Sequence, residues 1–185
     1  MGFDILIWGI LLLLSPIYQI TDAVAAVLFI AAFRKSGKYL PEMRFAERFS
    51  YAFLAVGLGE MIFSYIIPSD DMMGAFAILR AGILLSILLS TARGIRSLAE
   101  VAEDAMLYDR AAAHIKPICV IFAAKMISLV LSRLFPSLSQ ITFYAGLCIG
   151  LAEAVLIVMI FRTVFKCYKD INIYPAAVAD DEELS

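Results

Sequence analysis

The stretch GAFAILRAGILLSILLSTA, residues 74–92, decides the fold class of this chain. Only one of its residues, Arg80, is charged. A helix rises about 1.5 Å per residue, so these residues reach about 28 Å when helical. The hydrocarbon core of a bilayer is about 30 Å thick, and the stretch therefore predicts a transmembrane helix.

Composition extends this prediction to the whole chain. Of its 185 residues, 63% are hydrophobic and 17% are charged, and the mean hydropathy is +0.90. Soluble domains are close to half apolar and about a quarter charged. The composition thus excludes an ordinary soluble domain. A net charge of −2 offers no basic surface for phosphates, so no nucleic-acid partner is expected.

Four further apolar stretches complete a predicted all-α bundle of five transmembrane helices. The predicted spans are about 16–33, 49–67, 74–92, 117–135 and 141–161. Residues 1–170 would form this single transmembrane domain, and residues 171–185 would form an acidic cytoplasmic tail. The lipid bilayer is then the first partner of the chain.

The distribution of lysine and arginine predicts the orientation. Twelve of the 15 basic residues lie in residues 34–48, 93–116 and 162–169, which the alternation of spans places on one side. The positive-inside rule makes that side cytoplasmic. The chain is therefore predicted to be a multi-pass protein of a cell (plasma or inner) membrane, with its N-terminus outside and its C-terminus inside.

The first apolar stretch, residues 5–33, is longer than one span needs. Ser15-Pro16 lies inside it, and proline kinks or interrupts a helix. The sequence predicts a helix over Gly2–Leu14 near the outer interface, anchored by Trp8, before the first span begins. A signal peptide cleaved after Ala23-Val24-Ala25 is the alternative, although the basic segment that such peptides carry is missing.

Five charged residues within the spans point to a polar site. Asp22, Glu60, Arg80, Lys125 and Glu153 lie 12, 12, 13, 9 and 9 residues from the nearest basic cluster at the cytoplasmic ends. At about 1.5 Å per residue, all five fall in a layer about 6 Å thick near the bilayer midplane. Each charge costs roughly 2.5–3.5 kcal/mol to insert, so the layer needs a physical explanation.

Equal depth across short hairpins predicts how these charges pair. Glu60 should meet Arg80, and Lys125 should meet Glu153. Asp22 has no evident partner, and we expect it to line an internal cavity beside Gln19, which shares its helix face. Two alternatives remain open: Asp22 pairs with Arg80 or Lys125 in a closed network without a cavity, or all the charges are structural staples that fix helix register.

Two segments could bind a second copy of the chain or a partner subunit. Gly146, Gly150 and Ala154 recur every four residues, and such stripes let helices approach closely. Residues 95–115 contain neither glycine nor proline and predict one continuous inner helix. Packing of both segments within the chain itself is the simpler alternative.

These patterns favour a small transporter or channel protomer with a charged midplane site for an ion or small solute. The alternative is a non-catalytic membrane subunit or scaffold of a larger complex. An intramembrane enzyme is not expected, because the chain lacks HExxH, GxSxG and P-loop motifs. No cofactor or metal is expected either, since His114 is the single histidine and Cys119, Cys148 and Cys167 are widely spaced, as buried hydrophobes are.

Overall fold

A computed structural model of the chain describes residues 2–13, 18–38, 40–66 and 70–171. Within these ranges, residues 18, 19, 70, 71, 136, 139, 170 and 171 are described by their backbone only. Ser15-Pro16 and all but the first residue of the predicted acidic tail lie outside the described residues.

The described chain is entirely helical, which confirms the predicted fold class. Its six helices are α1 (Phe3–Leu12), α2 (Tyr18–Ser36), α3 (Pro41–Ile66), α4 (Asp70–Val101), α5 (Ala105–Leu134) and α6 (Ser139–Ile171), with a single 3₁₀ turn at Pro136–Leu138. Long apolar runs with few glycines and prolines favour such helices, because every backbone group finds its partner within the helix.

Four of the helices, α3 to α6, are long and apolar enough to cross a membrane, which indicates a membrane protein. Their 26 to 33 residues correspond to about 39–50 Å, more than the hydrocarbon core requires. Helix α2 is shorter and carries Asp22, Arg34 and Lys35, and it is not among the four. The fifth predicted span is therefore not confirmed.

The six helices form a ring in which each packs against its neighbours in the chain and α6 returns to α1. Neighbours run antiparallel: Met43 of α3 packs against Gly94 of α4, and Phe76 of α4 packs against Gly59 of α3. Helices α2, α4 and α6 end, and α3 and α5 begin, at the end of the bundle that carries the basic clusters. We call this the basic end and the opposite one the distal end.

Helix α1 does not lie where the sequence placed it. The Cα of Gly2 packs so closely on Ala32 that an added Cβ would lie 2.5 Å from the Ala32 carbonyl oxygen, and Gly9 packs on Phe29. Helix α1 therefore runs antiparallel beside the C-terminal half of α2, from the basic end towards the middle of the bundle. The helix predicted within Gly2–Leu14 is present, but it packs beside the C-terminal half of α2 and not at the opposite end of the bundle, where the sequence placed it.

The buried face of α1 explains this position. Phe3, Leu6 and Ile10 follow the helical period and are at most 2% exposed, whereas Trp8 on another face is 65% exposed. Burying an apolar side chain of this size contributes about 1.5–3 kcal/mol relative to exposure in water. A short apolar helix before a proline can fold back as readily as lie at an interface, so composition alone does not distinguish the two.

The buried core occupies the basic half of the bundle. In α5 the buried residues Leu107, Ala111, His114, Ile118 and Phe122 recur every three or four positions, but none of the described side chains after Phe122 in that helix is buried. In α6 the described buried residues begin only at Leu156. The distal half is therefore loosely packed and open.

The inner segment 95–115 is not one helix, contrary to the sequence prediction. Helix α4 ends at Val101, and Glu103 adopts a left-handed conformation with φ of 53°. The backbone N–H of Asp104 donates to the Ala99 carbonyl at 2.9 Å, and that of Glu103 donates to the Glu100 carbonyl at 3.3 Å, which together form a Schellman motif. The Asp104 carboxylate then accepts from the Leu107 N–H and begins α5.

Candidate functional site

Three helices meet at Arg80, whose guanidinium is shared by two carboxylates. Nη1 of Arg80 on α4 lies 3.0 Å from Oδ2 of Asp22 on α2 and 3.6 Å from Oε2 of Glu60 on α3. The structure thus brings together the predicted Glu60–Arg80 pair. It also corrects the expectation that Asp22 lacks a partner, because Arg80 donates a hydrogen bond to it.

A second ion pair joins α5 and α6. Nζ of Lys125 lies 2.5 Å from Oε2 of Glu153, as the equal depth of the two residues predicts. The ammonium group also lies 5.7 Å from the ring centroid of Phe122. The side chains of Lys125 and Arg80 remain 29% and 27% exposed, so both pairs are accessible from a space beside them.

That space is a partly open cavity of about 540 Å³. Four charged residues line it, namely Asp22 and Arg80 from one pair and Lys125 and Glu153 from the other. The other lining residues are Leu13, Phe53, Ala81, Leu84, Ser128, Leu129, Gly146, Ile149, Gly150, Ala154 and Ile157. Glu60 is not among the lining residues, and the side chain of Gln19 lies outside the described part of the chain.

The shape of the ring accounts for the cavity. Helix α1 ends at Leu12, near the middle of the bundle, and no other described helix continues its position into the distal half. Helices α4 and α6 touch only weakly across this gap. Phe53, a lining residue that is 2% exposed, lies on the side of the closely packed basic half.

The small residues of α6 form one wall of the cavity. Among the described residues, a Cβ added to Gly146 or Gly150 would meet no heavy atom within 4 Å, so neither glycine packs against another described helix. The intrachain packing that such stripes usually serve is therefore absent at both glycines. The backbone of α6 is instead exposed to the cavity, next to Glu153.

The charges at the site do not cancel. Asp22, Glu60 and Glu153 carry three negative charges when ionised, and Arg80 and Lys125 carry two positive charges. Lys125 and Glu153 balance each other, so the excess negative charge lies with Asp22 and Glu60. The side chains of Asp22 and Glu60 are only 11% and 12% exposed, so an uncompensated negative charge on them is costly.

A further polar contact lies nearer the basic end, between α5 and α6. His114 on α5 is 6% exposed, and its Nε2 lies 2.7 Å from Oγ1 of Thr163 on α6. The Thr163 hydroxyl donates to the Met159 carbonyl, so its oxygen accepts from the imidazole N–H. Neither residue lines the cavity.

Cysteine placement differs from the prediction in part. Cys167 is buried, but Cys119 and Cys148, which were expected to be buried, are exposed on α5 and α6. Among the described residues, no group of three or more histidine, cysteine or acidic side chains could hold a metal ion.

Comparisons of the chain with protein-family models, curated proteins and solved structures find no match. The chemistry of the site must therefore be argued from its own geometry. That geometry provides two ion pairs on opposing helices, an open space between them and a wall of exposed backbone.

Proposed function

We propose that the chain is a small integral membrane transport protein, a transporter or channel protomer whose charged cavity is the site for an ion or small solute. The observation that carries this proposal is that both ion pairs line one cavity of about 540 Å³. Staples that merely fix helix register need no open space beside them. Ionisable groups at membrane depth usually serve a functional pathway when they face such a space.

The arrangement of the helices supports a specific topology for this transport protein. The basic end is cytoplasmic by the positive-inside rule, and α3 to α6 cross the membrane. The described part of α2 extends only four residues, about 6 Å, beyond Asp22 towards the distal end. Helix α4 extends ten residues, about 15 Å, beyond Arg80 in the same direction.

Helices α1 and α2 therefore form an antiparallel pair that enters the bundle from the cytoplasmic side, and their described residues end near its middle. Interrupted helices at membrane depth are tolerated where they are buried in protein or line a wet cavity, and transporters commonly build their sites from them. The cavity then lies beside the described ends of α1 and α2, and it would be reached from the side opposite to the cytoplasm.

Reconstitution of the purified full chain into proteoliposomes tests the proposal. Fluxes of H⁺, Na⁺, K⁺ and Cl⁻ are followed with entrapped indicator dyes, and radiolabelled amines and carboxylates report organic solutes. Asp22→Asn preserves the shape of the side chain and should abolish the flux that the native chain supports, while the melting temperature in detergent changes little. Asp109→Asn, an exposed carboxylate at the basic end, is the matched control and should transport normally.

The open distal half favours a second candidate function, that of a non-catalytic subunit which packs against another membrane protein. None of the described side chains in residues 123–134 or 140–155 is buried. This function predicts that charge-neutralising variants lose stability or assembly but that the native chain moves no solute. Native mass spectrometry of the chain purified from its own membrane would show such a partner directly.

A further inference from the structure

We infer that the solute of the cavity is a small organic monocation with an apolar body, such as an amine or a quaternary ammonium compound, whose cationic group lies at Asp22. This inference rests on the proposed transport function. Three features of the site support it: its net charge, the apolar residues that line it, and the α6 backbone exposed at Gly146 and Gly150.

The charge of the site selects a cation. Arg80 is shared by two carboxylates, whereas Lys125 has its own carboxylate at 2.5 Å. The cluster around Arg80 thus carries one negative charge in excess when all its groups are ionised. A bound monovalent cation removes this excess where the low dielectric of the bundle makes it most costly. An anion would instead add to the negative charge that the cluster already carries.

The apolar residues that line the cavity favour an organic cation over a bare inorganic cation. Apart from the charged residues and Ser128, the lining is apolar, with the large side chains Leu13, Phe53, Leu84, Leu129, Ile149 and Ile157. Such side chains offer no oxygen ligand to a bare hard cation, but they solvate a hydrocarbon body. A volume of about 540 Å³ also falls in the range of small-molecule sites, about 300–1,000 Å³.

The α6 side of the cavity, where two glycines carry no side chain, provides room for the apolar part of the ligand. Gly146 and Gly150 expose the α6 backbone, and a larger side chain at either position would extend into open space. The body of the ligand can therefore lie along α6, above Phe53, while its cationic group reaches Asp22 on the opposite wall.

Binding to the purified full chain tests this inference with benzyltrimethylammonium as the probe. Benzenesulfonate, phenylalanine and K⁺ serve as the anionic, zwitterionic and inorganic comparators. Asp22→Asn should weaken benzyltrimethylammonium binding by about tenfold or more, because the variant removes the negative charge that attracts the cation. Gly150→Leu leaves every charge in place and should weaken binding to a similar degree by filling the cavity.

Gly82→Leu is the matched control for the glycine variant. A Cβ at Gly82 also meets no heavy atom within 4 Å, but Gly82 does not line the cavity. Binding should therefore remain as in the native chain. The Gly150 variant also keeps the test decisive if Asp22→Asn proves too unstable to purify.

The possible outcomes separate this inference from the proposed function. Benzyltrimethylammonium binding that Asp22→Asn and Gly150→Leu weaken, and that Gly82→Leu preserves, supports the inference. Tighter binding of benzenesulfonate, phenylalanine or K⁺ overturns it and leaves the transport proposal intact. Binding that none of the variants changes reflects partition into detergent and also overturns it. If no probe binds and no flux occurs in proteoliposomes, both proposals fail.

Discussion

Arg80 and Asp22 form an ion pair across the ring of helices, with Nη1 and Oδ2 3.0 Å apart. Their helices, α4 and α2, are not neighbours in the described ring, because α3 lies between them and contributes Glu60 to the same guanidinium. An arginine that reaches across a bundle brings the polar groups of three helices to one point. The cavity begins at that point, so this pair defines the centre of the candidate site.

Removing the charge of Arg80 alone should lower the free energy of unfolding more than removing the charges of Arg80 and Asp22 together. Arg80→Gln leaves Asp22 and Glu60 as two neighbouring carboxylates, and we expect it to lower the free energy of unfolding by about 3 kcal/mol. Adding Asp22→Asn to the same chain should restore part of that loss. Thermal melting in detergent measures both variants, and strictly additive losses would contradict the shared ion pair.

The ion pair between Lys125 and Glu153 allows the same comparison of single and double variants at a site of two residues. Lys125→Met and Glu153→Gln each strand one charge beside the cavity, and each single variant should melt at a lower temperature than the double variant. The double variant should fold but transport poorly, since it retains the shape of the site without its charges. Normal transport by the double variant would show that this pair is only structural.

Sequence reasoning could find the charged layer because the rise of a helix is nearly constant. Counting residues from the basic clusters placed Glu60 level with Arg80 and Lys125 level with Glu153, and the structure brings each of these pairs together. The same counting could not locate α1, because a depth says nothing about whether a short helix lies outside the bundle or folds back into it. The cavity was also only partly predictable, since its volume depends on how far α4 and α6 separate.

The break between α4 and α5 was missed for a different reason. Helices are often followed by a glycine in the left-handed conformation, but after the end of α4 at Val101 this conformation is adopted by Glu103. The visible signal was Asp104, a good N-cap residue.

This conformation predicts a stabilising substitution. Glu103→Gly should raise the free energy of unfolding by about 1 kcal/mol, because a non-glycine residue in the left-handed region costs roughly 1–2 kcal/mol and glycine loses part of this gain through its greater freedom in the unfolded chain. Glu103→Ala is the control, since it removes the side chain but keeps the strain. Equal melting temperatures for the two variants would show that the side chain, and not the backbone, is responsible.

The contact between His114 and Thr163 should contribute to stability near the basic end. Thr163→Val preserves the shape of the side chain but leaves the buried imidazole N–H without its acceptor, which should cost about 1–3 kcal/mol of unfolding free energy. Thr163→Ser retains the hydroxyl and should cost much less. Because neither residue lines the cavity, both variants should transport at the native rate per folded molecule. A selective loss of transport in Thr163→Val would place this contact in the transport pathway.

The position of Gly2 beside Ala32 predicts on which side of the membrane the N-terminus lies. Helix α1 begins at the basic end, where α6 also ends, so reporters fused to the N-terminus and to the C-terminus should both read on the cytoplasmic side. Reporters placed after Ser69 and Ser137 should read on the opposite side and serve as internal controls. Gly9→Leu should in addition lower the melting temperature, because the new side chain collides with Phe29, whereas Gly150→Leu should not. An N-terminal reporter that reads outside would instead restore the five-span topology and remove α1 from the cytoplasmic half of the bundle.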